Sequence, residues 1–201
     1  MDIYHTPPSS LSLKFSEGIV AVNPGDKERK VLTPTVIVHT YPVPVPGWPP
    51  IYTPNGEQRV FTGAGEYEKS GLLIQGYSTE TKEDGKPIQT TSWCISGENL
   101  RVVVLGTLAE RSDAKHLLAS IGYADILIPL CVTTKEKRLD NEAVAGIAAS
   151  LHAQRIIPVG NDESLKNGIA KEMGTAEEVS EKYSCKKKDF SDLQTKVILF
   201  T

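Results

Sequence analysis

Few residues in this chain are equipped for chemistry, and the best placed of them is His39. It closes a β-branched run, Thr35 to Val38, that reads as a buried strand, so folding would carry an imidazole to a strand end. The chain continues with Thr40, Tyr41 and then Pro and Val in alternation from Pro42 to Pro46. A Zn²⁺ site needs three or four converging N, O or S donors, and Pro and Val supply none. A lone His at a strand end is expected to hydrogen-bond the backbone rather than hold a metal. His5 could join it in a two-ligand site at most. Glu66 and Glu68 alternate about Tyr67 in a Gly-rich turn; paired carboxylates do acid-base work, and the competing use of Glu66 is to cap loop amides. Asp162 is either a site carboxylate or the N-cap of the next helix, and cap preference favours the second. His116 and His152 sit in or at the ends of helical stretches and read as surface or packing residues. Gly63-Ala64-Gly65 opens no helix and is poor evidence for phosphate binding.

The elements that must hold these residues divide along the chain. The first half reads as strands: Leu11 to Phe15 and Ile19 to Val22 about a tight Glu17-Gly18 turn, then Thr35 to His39, Arg59 to Thr62, Leu72 to Tyr77, Thr90 to Ser96 and Leu100 to Leu105. Thr81 to Pro87, with Asp84-Gly85, reads as a polar loop. In the second half, three apolar stripes of helical period alternate with β-rich runs. The stripes are Ala114, Leu117, Leu118 and Ile121, closed by Gly122; Ala143, Val144, Ile147, Ala148 and Leu151, entered through Asp140; and Leu165, Ile169 and Met173, stopped by Gly174. The β-rich runs are Asp125 to Leu130, Arg155 to Val159 and Lys196 to Phe200, and Lys186 to Lys188 read as a solvated edge. This order predicts an α/β (α+β) protein of two packed sheets with helices outside, an αββα sandwich formed as a single domain over residues 1–201.

Several blocks, taken in order, resemble one family. DIYHTPPSSLSLKFSEGIVAVNPG contains His5, a small-residue turn and Asn23-Pro24; RVFTGAGEYEKSGLLIQGYST contains Gly-x-Gly-Glu-Tyr-Glu at Gly63 to Glu68; LRVVVLGTL, ADILIPLC and HAQRIIPVGN come after them. The set is similar to the metallo-β-lactamase superfamily, and in particular to its compact branch that resembles ascorbate-phosphate lactonases. The resemblance implies the αββα sandwich and a metal-dependent hydrolase. It also implies where the ligands should fall. The family's His-x-His-x-Asp-His lands on His39, Tyr41, Val43 and Pro44, a further His lands near Thr81, the bridging Asp on Thr107 and the last His on Gly160. Only His39 keeps the ligand type. The resemblance therefore implies a remnant cleft of His5, His39, Tyr41, Glu66, Thr107 and Asp162, with no metal ligand set and no cofactor; the weaker alternative is one Zn or Mn ion.

Composition narrows the remaining classes. The 201 residues carry a formal net charge of -3, which offers no electrostatic reason to bind nucleic acid or an anionic membrane. The three Cys, at 94, 131 and 185, form no C-x-x-C pair and read as buried reduced thiols. No signal peptide and no long apolar run are evident, so a cytoplasmic protein is expected. Tyr41 to Tyr52 is rich in Pro and aromatics, and could dock a protein partner, join a second copy in a homo-oligomer, or plug the cleft. Three functions stay open: a non-catalytic protein used in binding or assembly, a hydrolase of a small phosphorylated or lactone-like substrate with an atypical site from His5, His39, Glu66 and Asp162, and a small-ligand sensor.

Overall fold

The computed structural model describes residues 1–7, 10–24, 33–41, 59–83, 86–108, 114–131, 139–190 and 194–201, except the side chains of Lys82 and Glu83. A six-stranded sheet contains β1 (Asp2–Thr6), β2 (Ser10–Lys14), β3 (Ile19–Val22), β4 (Val36–Val38), β5 (Arg59–Phe61) and β13 (Lys182–Ser184), in the order β13-β1-β2-β3-β4-β5. An eight-stranded sheet contains β6 (Gly65–Lys69), β7 (Leu72–Glu83), β8 (Lys86–Gly97), β9 (Leu100–Leu105), β10 (Ile126–Pro129), β11 (Arg155–Ile156), β12 (Ala176–Val179) and β14 (Lys196–Phe200), in the order β12-β14-β11-β10-β9-β8-β7-β6. The helices are α1 (Ala114–Ile121), α2 (Asn141–Ser150) and α3 (Glu163–Met173).

Side-chain alternation in β9 explains the layering. Val102 and Val104 point to the core between the sheets, where they meet Ile3, Leu13, Val20 and Val38 of the six-stranded sheet. Val103 and Leu105 point the other way, against Leu117 of α1 and Ile147 of α2. A strand segment buried on both faces must be apolar, which is why Val102 to Leu105 shows no polar alternation, while Arg101 near the strand's start is only half-buried. Each fully buried Val, Leu or Ile contributes about 1.5–3 kcal/mol relative to exposure, so these two cores dominate the folding free energy. All three described helices cover the outer face of the eight-stranded sheet. The expected sheet-on-sheet sandwich with outer helices is present. Among the described residues, no α-helix covers the other sheet.

Trp93, fully buried, is the largest side chain of the inner core and lies over Gly76, its partner across β7 and β8; a Cβ there would come within 2.7 Å of the indole. The caps agree with the sequence signals. Asp140 accepts from the Ala143 N–H at 2.8 Å, Gly122 and Gly174 follow α1 and α3 in left-handed conformations, and the Phe15 N–H donates to the Gly18 carbonyl at 2.9 Å to close the first hairpin. The three Cys are free and buried.

Three local expectations need correcting. Thr81 to Pro87 is not a loop, because Thr81 pairs with Ile88 and Glu83 with Lys86, which extends the β7–β8 hairpin up to Asp84 and Gly85, outside the described residues. The polar composition misled because the strand state here comes from pairing with β8 rather than from propensity. The stretch about Glu66 is not a Gly-rich turn but β6, paired with β7 from Gly65 to Lys69. Lys187–Phe190 is a 3-10 turn rather than an edge strand, and the Lys187 ammonium lies 2.8 Å from the Asp125 carboxylate. No helix among the described residues is long and apolar enough to cross a membrane.

Candidate active-site cleft

β4 delivers His39 as the sequence predicts, and the surrounding backbone fixes it from both sides. The His39 N–H donates to the Phe61 carbonyl at 3.0 Å, and the Trp93 indole N–H donates to the His39 carbonyl at 2.9 Å. The next residue is held by a polar clamp. The Asn23 carboxamide accepts from the Thr40 N–H at 2.9 Å and donates to the Thr40 hydroxyl at 2.9 Å, while the Thr91 N–H donates to the Thr40 carbonyl at 2.8 Å. Asn23 is fully buried and takes φ 47°, a conformation that Asn tolerates better than most residues.

The His39 side chain contrasts with its tethered backbone. It is fully buried, yet among the described residues neither Nδ1 nor Nε2 has a hydrogen-bond partner. The expected hydrogen bond from the imidazole to the backbone is absent, and the ring instead meets Tyr41 edge-on at 6.0 Å. Burial holds the imidazole pKa down at about 4 and pushes the buried Tyr41 phenol up to about 12. Both groups are therefore neutral over the physiological range. A neutral imidazole can ligate a metal, but one ligand is not a site.

The remaining positions do not supply the missing donors. Thr107, just beyond β9, is 5% exposed and leaves its Oγ1 unpartnered; its carbonyl accepts from the Thr90 hydroxyl at 3.0 Å. Thr81 is buried in the β7–β8 hairpin. Gly160 is the most telling position. Its φ is +145°, and a Cβ built there would overlap the Cys131 carbonyl oxygen. The backbone thus has no room for any side chain where the family places its last His. Val43 and Pro44 lie outside the described residues. Among the described residues, no three His, Cys, Asp or Glu side chains gather as a metal-binding group. The donor set does not fit the binuclear metal centre that the fold implies.

Nor do the four residues of an atypical site converge. His5, on β1, meets the Phe200 ring at 5.2 Å and shares a cavity with Gly160. Tyr67 stacks on Phe61 at 3.9 Å and packs against the inter-sheet core, so its neighbour Glu66 points to the opposite face of β6. There the exposed Glu66 accepts from the Gln75 side-chain amide at 2.9 Å; it caps no loop amide. Asp162 is the N-cap of α3 and accepts from the Leu165 N–H at 3.0 Å. Of the expected cleft residues, His39 and Tyr41 meet, while Glu66 and Asp162 are engaged in structural contacts.

Two features escaped the sequence reading. The Asn23–Thr40 clamp had a signal in the Asn-Pro of the first block, where a buried amide can satisfy a turn. The other is a cavity of about 510 Å³ between β1, β14 and α3, lined in part by His5, Gly160 and Lys166. Its signal was Lys166 itself, which interrupts the buried stripe of α3 beside Ile169.

An inter-sheet core, outer helices and a site at strand ends define a metallo-β-lactamase fold. The chain belongs to that superfamily: the family model described as beta-lactamase superfamily domain matches residues 8–160. Among solved structures, a metallo-β-lactamase superfamily protein from Thermotoga maritima superposes with a TM-score of 0.75 at 19% identity, covering 99% of this chain and 97% of that one. The metallo-β-lactamase fold protein YhfI from Bacillus subtilis gives 0.64 at 8% identity over 100% and 96%. An isothiocyanate hydrolase from Delia radicum gut bacteria gives 0.62 at 10% identity over 99% and 96%. At these identities the likeness is one of fold. A comparison with curated proteins finds no match.

Proposed function

We propose that this chain is a non-catalytic metallo-β-lactamase-fold protein that acts in binding or assembly. The observation that carries the reading is Gly160, where the backbone itself, and not only the residue type, excludes the last ligand of the family. Restoring a side-chain donor at this position would require the backbone packed on Cys131 to move. His39 agrees, since a metal ligand needs partners and an orienting hydrogen bond on its second nitrogen, and His39 has neither among the described residues. Tyr41 to Tyr52 would serve as the contact for a partner or a second copy; of this strip only Tyr41 lies among the described residues.

A second reading, a hydrolase with an atypical site, draws on the neighbours: an isothiocyanate hydrolase shares the fold over nearly the whole chain. One experiment separates the two. The purified protein is assayed against a lactone, a carboxylic ester and a phosphodiester, with and without added Zn²⁺ or Mn²⁺, beside His39→Ala. Non-catalytic function predicts no turnover above the buffer rate in either protein. Metal-stimulated turnover that His39→Ala abolishes would establish the hydrolase.

A further inference from the structure

The geometry points to a ligand site in the cavity of about 510 Å³ beside the remnant cleft, one that takes a small zwitterion carrying a carboxylate, an ammonium group and an apolar body. The volume falls within the range of about 300–1,000 Å³ usual for small-molecule pockets.

α3 brings Lys166 and Asn167 to the cavity. Lys166 is only 7% exposed, and its ammonium lies 2.6 Å from Glu163, a carboxylate whose own side chain is 71% exposed. An ammonium has three protons to donate, and burying it with one mostly exposed acceptor among the described residues leaves it under-satisfied. A ligand carboxylate entering the cavity would accept from Lys166 and from the Asn167 amide. Glu178 and Glu181, contributed by β12 and the turn after it, line the same cavity; both are exposed, and neither has an ion-pair partner among the described residues. With Lys166 neutralised by Glu163, these carboxylates leave the cavity net negative. A simple anion is repelled and a simple amine leaves Lys166 unanswered, so a molecule with both charges fits best. The tilted His5–Phe200 pair, with ring centroids 5.2 Å apart, gives the apolar body a surface to pack on.

This inference deepens the binding reading by naming a ligand class, and the two fail separately, because turnover and metal content test the one and zwitterion affinity the other. The probe is L-phenylalanine, titrated into the full chain by calorimetry at low salt, beside 3-phenylpropanoate as the anion alone and phenethylamine as the cation alone. Phenylalanine should bind about tenfold tighter than either. Lys166→Met should weaken phenylalanine about tenfold without weakening phenethylamine, whereas the Glu178→Gln, Glu181→Gln double variant should weaken phenylalanine and phenethylamine together. The second variant alters exposed side chains only, so it keeps the test decisive if Lys166→Met fails to fold. No saturable binding of phenylalanine, equal binding of the singly charged probes, or affinities unmoved by the double variant would overturn the assignment.

Discussion

Acid should destabilise this protein through His39 in a way that one substitution can isolate. The native imidazole is fully buried with both nitrogens unpartnered and titrates near 4, whereas the unfolded chain titrates near 6.5. Between those values the unfolded state binds a proton that the native state refuses. Stability contributed by keeping His39 neutral is therefore complete above about pH 7.5 and falls as pH drops through 6.5 toward 4. Each pH unit in that window is worth about 1.4 kcal/mol, so the loss from His39 alone is about 2 kcal/mol at pH 5 and about 3 kcal/mol by pH 4. The assay is urea unfolding followed by far-ultraviolet circular dichroism from pH 8 to pH 5, for the wild type and His39→Leu. Every other ionisable group is common to both proteins and cancels in the difference. The wild type should lose about 2 kcal/mol relative to His39→Leu between pH 8 and pH 5. A difference that stays flat across the range would mean that His39 titrates near its ordinary value, and the dry, unpartnered imidazole would be wrong.

Gly160→Ala should destabilise by about 3 kcal/mol or more, since the new methyl meets the Cys131 carbonyl at a strained φ; an unchanged melting temperature would show that the close approach is not there. Asn23→Ala should cost about 2–4 kcal/mol in urea unfolding, because it leaves the Thr40 N–H and hydroxyl buried without acceptor or donor, and a loss under about 0.5 kcal/mol would refute the clamp. Asp162→Ala should cost about 1 kcal/mol and Asp162→Ser should restore most of it; failure of Ser to rescue would point away from a capping role.

The fold was legible because its two periodicities are strong. The continuous apolar run of β9 could only be a strand buried on both faces, and the helical stripes carried their own stops at Gly122 and Gly174. Short exposed strands were not legible: β12 is Ala-Glu-Glu-Val, whose strand state comes from pairing with β14 rather than from propensity. At the cleft, the sequence showed that ligand types were missing, but not that the backbone at Gly160 had closed over the place. That closure depends on Cys131, far away in the chain and brought close only when β10 and β11 pair. The expected hydrogen bond of His39 failed for a related reason. Its neighbours satisfied each other's backbone groups through Asn23 and Trp93, and none among the described residues was left for the ring. Lys166 was overlooked because a long cation in an apolar stripe usually snorkels to water, whereas here its side chain stays only 9% exposed beside a cavity.

Whether this metallo-β-lactamase fold holds a metal centre is decided by elemental analysis of the protein purified without chelators and then equilibrated with excess Zn²⁺ and Mn²⁺ before desalting. Less than about 0.2 ion per chain is expected, because among the described residues His39 stands without companion ligands. Stoichiometric Zn, Mn or Fe that is lost in His39→Ala would contradict it.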